Sequence, residues 1–126
     1  MRNADARRIA RGIAATRVLL GIAIVVAPRV LMRSAVKDGE PSDEAVAALR
    51  MAGGRDLALG LGALLAAKRG PRALRGWVEG GMLADAIDVP SLAAAGSLRP
   101  VVRGLGLASA AAAAALGALV ARRLAP

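Results

Sequence analysis

Two aspartates, Asp85 and Asp88, stand three residues apart in a largely apolar stretch, and an adjacent Arg55 and Asp56 head another, GGRDLALGLGALLAA over 53–67. On a helix, positions i and i+3 lie about 60° apart, so Asp85 and Asp88 share a face. Carboxylates placed in this way could divide acid and base roles if their environments differ, relay protons, or pair with guanidinium groups. Glu79 points about 120° away from Asp85 at 100° per residue and follows Arg75 by four residues, while Arg17 interrupts a third apolar stretch at 12–27. Arg17, Arg55, Asp56, Glu79, Asp85 and Asp88 are therefore the candidates for a binding site or proton pathway. The chain has no His and no Cys, which removes imidazole bases, thiol nucleophiles, disulfides and the usual zinc and haem ligands. No metal and no cofactor are expected, and no catalytic residue is assigned.

The elements that carry these charges are strongly apolar. The 126 residues are 56% hydrophobic with a mean hydropathy of +0.53, well above an ordinary soluble domain. The apolar mass is mostly alanine, with 15 glycines, no Phe, no Tyr and the single Trp77. A core built this way in water is thin, because Ala buries little area and aromatics normally dominate core energetics. In lipid the same residues are an asset, since helix association there depends on close backbone approach at small side chains. The net charge of +9 raises nucleic acid as a partner. However, the basic residues fall in clusters between apolar runs and there is no aromatic stacking platform, so nucleic-acid binding is not expected.

Taken in order, the chain reads as a single integral membrane domain, 1–126, with helices at about 8–27, 42–67, 71–95 and 101–123. The first apolar stretch has the outline of a signal peptide, but Ala27 is followed by Pro28 and no A-x-A pattern appears, so a retained helix is expected. Residues 28–44 form a loop with room for a short surface helix at 29–36, its Arg29, Arg33 and Lys37 offset by Asp38, Glu40, Asp43 and Glu44. Ser42 with Asp43 and Glu44 behind it is an N-cap with acids in the first turn. Gly70 and Pro71 mark a tight helical hairpin, and Pro90 either kinks the next helix or ends it near Asp88. In the last helix Gly106, Ala110 and Ala114 form a small-xxx-small ridge, for packing within the chain or for a homo-oligomer.

Charge asymmetry sets orientation. Arg2, Arg7, Arg8, Arg11, Lys68, Arg69, Arg72, Arg75, Arg122 and Arg123 gather at one end, which places both termini in the cytoplasm by the positive-inside rule. The expected fold is an all-α, antiparallel four-helix transmembrane bundle. With the hairpin centred on Gly70, Arg55 comes level with Asp85, roughly 20 Å from the cytoplasmic end at 1.5 Å per residue. That register predicts an Arg55–Asp85 pair, Asp88 within reach of Arg50 or Arg55, and Glu79 with Arg17 or Arg75. Asp56 is left without a partner.

The stretch Gly53 to Gly60, a G-x-R-D-x-x-L-G pattern, followed by Asp85 and Asp88, resembles the central hairpin of a family of small four-helix integral membrane proteins common in actinobacteria. The resemblance covers roughly residues 50–90. It implies a four-span bundle in a bacterial cytoplasmic (inner) membrane and brings no assigned activity. Three roles stay open: a structural or accessory membrane bundle held by intramembrane ion pairs, a proton-coupled small-molecule transporter or channel, and an intramembrane enzyme acting on a lipid-like substrate. Membrane lipids are the expected partners of all three.

Overall fold

The computed structural model describes residues 2–37 and 39–124, and among them the chain is all-helical. The helices are α1 (Asn3–Val26), α2 (Pro28–Ala35), α3 (Asp43–Arg69), α4 (Pro71–Ala94) and α5 (Pro100–Arg123). Asp38, counted above with the loop acids, lies outside the described residues.

Local chemistry sets each boundary. The backbone N–H of Arg2 donates to the Asp5 carboxylate at 3.0 Å. This starts α1 at Asn3, so residues expected to precede the first helix are its opening turn. Ser42 caps α3, its hydroxyl accepting from the Ala45 N–H at 3.2 Å, and Lys68 and Arg69 lie in the last turn, where the helix dipole favours cations. Gly70, at φ +120°, takes a backbone conformation that a side chain would strain, and Pro71 opens α4 directly behind it. α4 does not end at Asp88 but runs on through Pro90 to Ala94. Pro90 removes one backbone donor from the ladder, and one residue on the Ser91 hydroxyl bonds the Ile87 carbonyl at 2.9 Å.

The short helix for which residues 29–36 leave room is present as α2, a fifth helix beside the four long ones. Arg29 pairs with Asp43 and Arg33 with Glu40 at 2.8 Å, which ties α2 to the start of α3. An isolated bridge between Val36 and Leu98 joins this segment to the α4–α5 loop, with Lys37 N–H donating to the Ser97 carbonyl at 3.1 Å and Arg99 N–H to Ala35 at 2.9 Å.

The four long helices pack on one another through small residues. α3 runs antiparallel to α1 at backbone contact: a Cβ on Gly21 would fall 2.6 Å from Leu57 N and 2.7 Å from the Gly53 carbonyl, and one on Gly60 would fall 2.6 Å from the Ala14 carbonyl. α4 returns against α3, with the Trp77 ring over Gly62, where a Cβ would meet it at 2.3 Å. α5 returns against α4, Gly117 facing Met82 and Gly106 facing Leu92. The ridge at Gly106, Ala110 and Ala114 is thus turned inward at its first two members: Gly106 meets α4, Ala110 is buried, and Ala114 is half-buried. At the end that holds the N-terminus, Ala6 and Ala10 share a core with Ala67, Leu74, Val120 and Leu124.

Large apolar side chains face outward. Leu19, Leu65, Leu83, Ile87, Leu105 and Leu119 are all more than half exposed, while the core is mostly alanine. α1 and α5 are each long and apolar enough to cross a membrane.

The α1–α3 contact leaves no room for a methyl group at Gly21. Gly21→Ala is expected to lower stability by about 1–3 kcal/mol, the usual cost of overpacking, whereas Gly12→Ala, inside the same helix with nothing within 4 Å of its Cβ position, should raise it by up to about 1 kcal/mol through the better helix propensity of alanine. Thermal unfolding of both variants in detergent checks this, and equal midpoints contradict it.

Candidate functional site

The buried face of α1 is a stripe of small residues, Ala6, Ala10, Ala14 and Gly21. Arg17 falls on that stripe, between Ala14 and Gly21, so its side chain is carried inward rather than toward the outer surface. It is 12% exposed and reaches two other helices. Nη1 donates to Asp56 Oδ1 of α3 at 2.6 Å, while Nη2 donates to Asp85 Oδ2 of α4 and to the Gly81 carbonyl at 3.1 Å. Gly81, one turn before Asp85, makes the last bond accessible: a Cβ there would lie 3.2 Å from Nη2.

α3 supplies two functions from adjacent residues because neighbours on a helix point about 100° apart. Asp56 turns toward α1 and Arg55 toward α4. Arg55 holds Asp88 through two parallel bonds, Nη1 to Oδ1 at 2.8 Å and Nη2 to Oδ2 at 2.7 Å, the bidentate geometry that is strongest for this pair. Arg55 Nη2 also lies 3.7 Å from Asp56 Oδ1, which links the two pairs into one network. Arg55 Nε is buried and has no hydrogen-bond partner among the described residues, a local cost within the layer. Among the described residues Asp85 is the most deeply buried charged residue, at 7% exposure.

The structure thus corrects the expected pairings. Arg55 joins Asp88, one turn beyond the level partner Asp85. Helical side chains lean toward the N-terminus of their own helix, so Arg55 leans toward the start of α3 while Asp88 leans back along α4, and the two meet between their Cα levels. Asp85 is taken by Arg17, one of the two partners expected for Glu79. Asp56, left unpaired by the hairpin alone, is the second partner of Arg17. Glu79 bonds Arg75 at 2.7 Å, the other of its two expected partners, four residues earlier on the same helix, and stands apart from the network. Arg50 is exposed, and among the described residues no ion pair joins it to Asp88.

Beside this network runs a groove of about 520 Å³. Its walls are apolar, including Ile13, Leu20 and Ile24 of α1, Leu92 of α4 and Leu116 of α5, with Thr16 and Ser109 as polar groups near the opening. Arg17, Arg55, Asp56, Asp85 and Asp88 all line it. Thr16 and Ser109 were not among the candidate residues; only the pairing of α1 with α5 brings them to one opening. Among the described residues no group of three or more His, Asp or Glu side chains is placed to hold a metal. Each of the three aspartates is committed to a guanidinium, so the arrangement is an ion-pair network carrying three carboxylates against two guanidinium groups.

No family model, curated protein or solved structure matches the chain.

The excess of carboxylates makes the network asymmetric to substitution. Arg17→Met leaves Asp85 without a guanidinium and Asp56 with only the 3.7 Å contact to Arg55, and is expected to cost roughly 3–5 kcal/mol, the range for breaking a buried ion pair from one side. Asp56→Asn, which keeps a hydrogen-bond acceptor and balances the charge, should cost clearly less. The double variant Arg17→Met/Asp85→Leu is expected to recover more than half of the loss. Unfolding in mixed micelles measures all three, and equal costs for the arginine and aspartate changes contradict the asymmetry.

Proposed function

We propose that the chain is a small multi-pass integral membrane protein of structural or accessory role, in which α1, α3, α4 and α5 form a four-span bundle held in register by ion pairs inside the membrane. The observation that carries this reading is the inverted distribution of side chains: Leu19, Leu65, Leu83, Ile87, Leu105 and Leu119 face outward while Arg17, Asp56 and Asp85 are turned inward. In water this arrangement would expose a large apolar surface and still bury charge. In lipid it places apolar side chains against the acyl chains and sets each of Asp56, Asp85 and Asp88 against a guanidinium.

Charge at the two ends supports a cytoplasmic location for both termini. The start of α1, the α3–α4 turn and the end of α5 carry ten Arg and Lys residues against Asp5 and Glu79, and cytoplasmic loops are enriched in just these cations. The opposite end carries α2, whose Val30 and Leu31 are exposed while Arg29 and Arg33 pair with acids. An amphipathic segment of this kind suits the membrane–water interface. The G-x-R-D-x-x-L-G stretch adds the inference of a bacterial cytoplasmic membrane. A transport reading would need the groove to continue to the basic end, where Ala6, Ala10, Val120 and Leu124 are packed together. An enzymatic reading would need a carboxylate free of its guanidinium. The geometry therefore favours the structural role.

The absence of native cysteine makes the topology directly testable. Arg69→Cys should be labelled by an impermeant thiol reagent only after the cells are opened, and Ser97→Cys in intact cells. The protein should also stay with the membrane through alkaline carbonate and leave it in detergent. Release by carbonate removes the membrane reading, and labelling of position 69 in intact cells removes the orientation.

A further inference from the structure

The groove has a chemistry that the structural role does not use. It lies between α1 and α5 and narrows toward the basic end to a space of about 20 Å³ beside Ala10, Val78 and Gly117, where the helices share the alanine core. Beyond that point α5 keeps to α4, with Gly117 on Met82 and Gly106 on Leu92. The exposed Leu20 and Leu116 on facing helices mark a sideways opening. Its volume of about 520 Å³ falls within the roughly 300–1,000 Å³ of small-molecule sites.

The polar wall has an unbalanced charge and spare acceptors. Three carboxylates face two guanidinium groups, an excess of one negative charge. Arg103, one turn beyond Gly106 on α5, does not line the groove. Asp88 uses both oxygens on Arg55, but among the described residues Asp56 Oδ2 and Asp85 Oδ1 accept no hydrogen bond. Both residues line the groove. An uncompensated charge facing a low-dielectric space is costly, and a group that adds one positive charge and several donors answers both needs. An ammonium has three donors and no acceptor. A hydroxyl would supply a donor without the charge, an anion would be repelled, and an apolar helix from a second copy would seal the excess carboxylate without a partner.

We propose that the groove between α1 and α5 binds an amphiphile with a protonated amine head group, the ammonium on Asp56 and Asp85 and the alkyl chain along Leu20, Ile24, Leu92 and Leu116. Its sideways entry from the lipid rests on the membrane reading, while the site itself rests on the groove and its charge. The alkyl chain replaces lipid at the opening, and the head group completes the charge of the network.

The test uses the purified full chain in a neutral detergent, with dodecylamine as the probe and dodecanol as its uncharged counterpart. Dodecylamine should raise the unfolding midpoint and appear as a one-to-one adduct by native mass spectrometry, with dodecanol binding at least about tenfold more weakly, as expected for one desolvated charge contact. Asp88→Asn keeps a hydrogen-bond acceptor for Arg55 but removes the excess charge. It should abolish the preference for the amine and leave dodecanol binding unchanged, and Asp56→Asn provides the same reading if Asp88→Asn does not fold. Equal binding of amine and alcohol, or a preference that survives both substitutions, overturns the proposal. A dimer whose groove takes up neither probe also overturns it. Release of the protein by carbonate would instead count against the membrane reading and leave the head-group comparison intact.

Discussion

The guanidinium of Arg17 holds three helices at one level. It is the point at which α1 meets α3 through Asp56 and α4 through Asp85 and the Gly81 carbonyl. A planar group with five donors suits this position, because it can serve two carboxylates and a carbonyl without moving. Arg55 and Asp88 then extend the polar layer along the α3–α4 seam. Sliding α1 past its neighbours by one turn would pull Arg17 away from all its partners at once. Apolar packing between alanine faces offers no comparable register, since one methyl group looks much like the next.

The layer in turn depends on glycine and alanine. Arg17 reaches α3 and α4 because Gly21, Gly53 and Gly60 let the α1 and α3 backbones touch, and because Gly81 opens a path to the α4 carbonyl. With larger residues the helix axes would separate and the same side chain would fall short. The charged layer and the small-residue stripe are thus one device: the stripe provides proximity and the ion pairs provide register. What the helices give up in buried apolar area they recover in close backbone contact, the exchange that lipid favours over water. The groove is the place where that close packing stops, because α5 follows α4 and leaves α1 above the alanine core.

Much of this was legible in the residues. The Ser42 cap, the Gly70–Pro71 turn, the gathering of Arg and Lys at one end and the shared face of Asp85 and Asp88 all follow from local chemistry acting over a few residues. The partner of Asp85 did not, because a hairpin register relates only two helices and the answer lay on a third. The position of Arg17 between Ala14 and Gly21 was the available signal, since a charge on a small-residue stripe is carried into the interior. Asp56 stayed unexplained for the same reason. The Arg55–Asp88 pair was one of two partners left open for Asp88; the level comparison at Cα instead put Arg55 on Asp85, one turn short, because side chains lean along their helices. The groove depends on the divergence of α1 and α5, a tertiary property that composition does not encode.

The bridge from Arg17 to Asp56 and Asp85 is expected to hold with the protein in lipid. Solid-state NMR on bilayer-embedded protein, with recoupling between the Arg17 guanidinium nitrogens and aspartate carboxyl carbons, reports those contacts atom by atom. Transfer is expected from Arg17 to both Asp56 and Asp85, and from Arg55 to Asp88. Transfer from Arg17 to Glu79, or to no carboxylate at all, would contradict it.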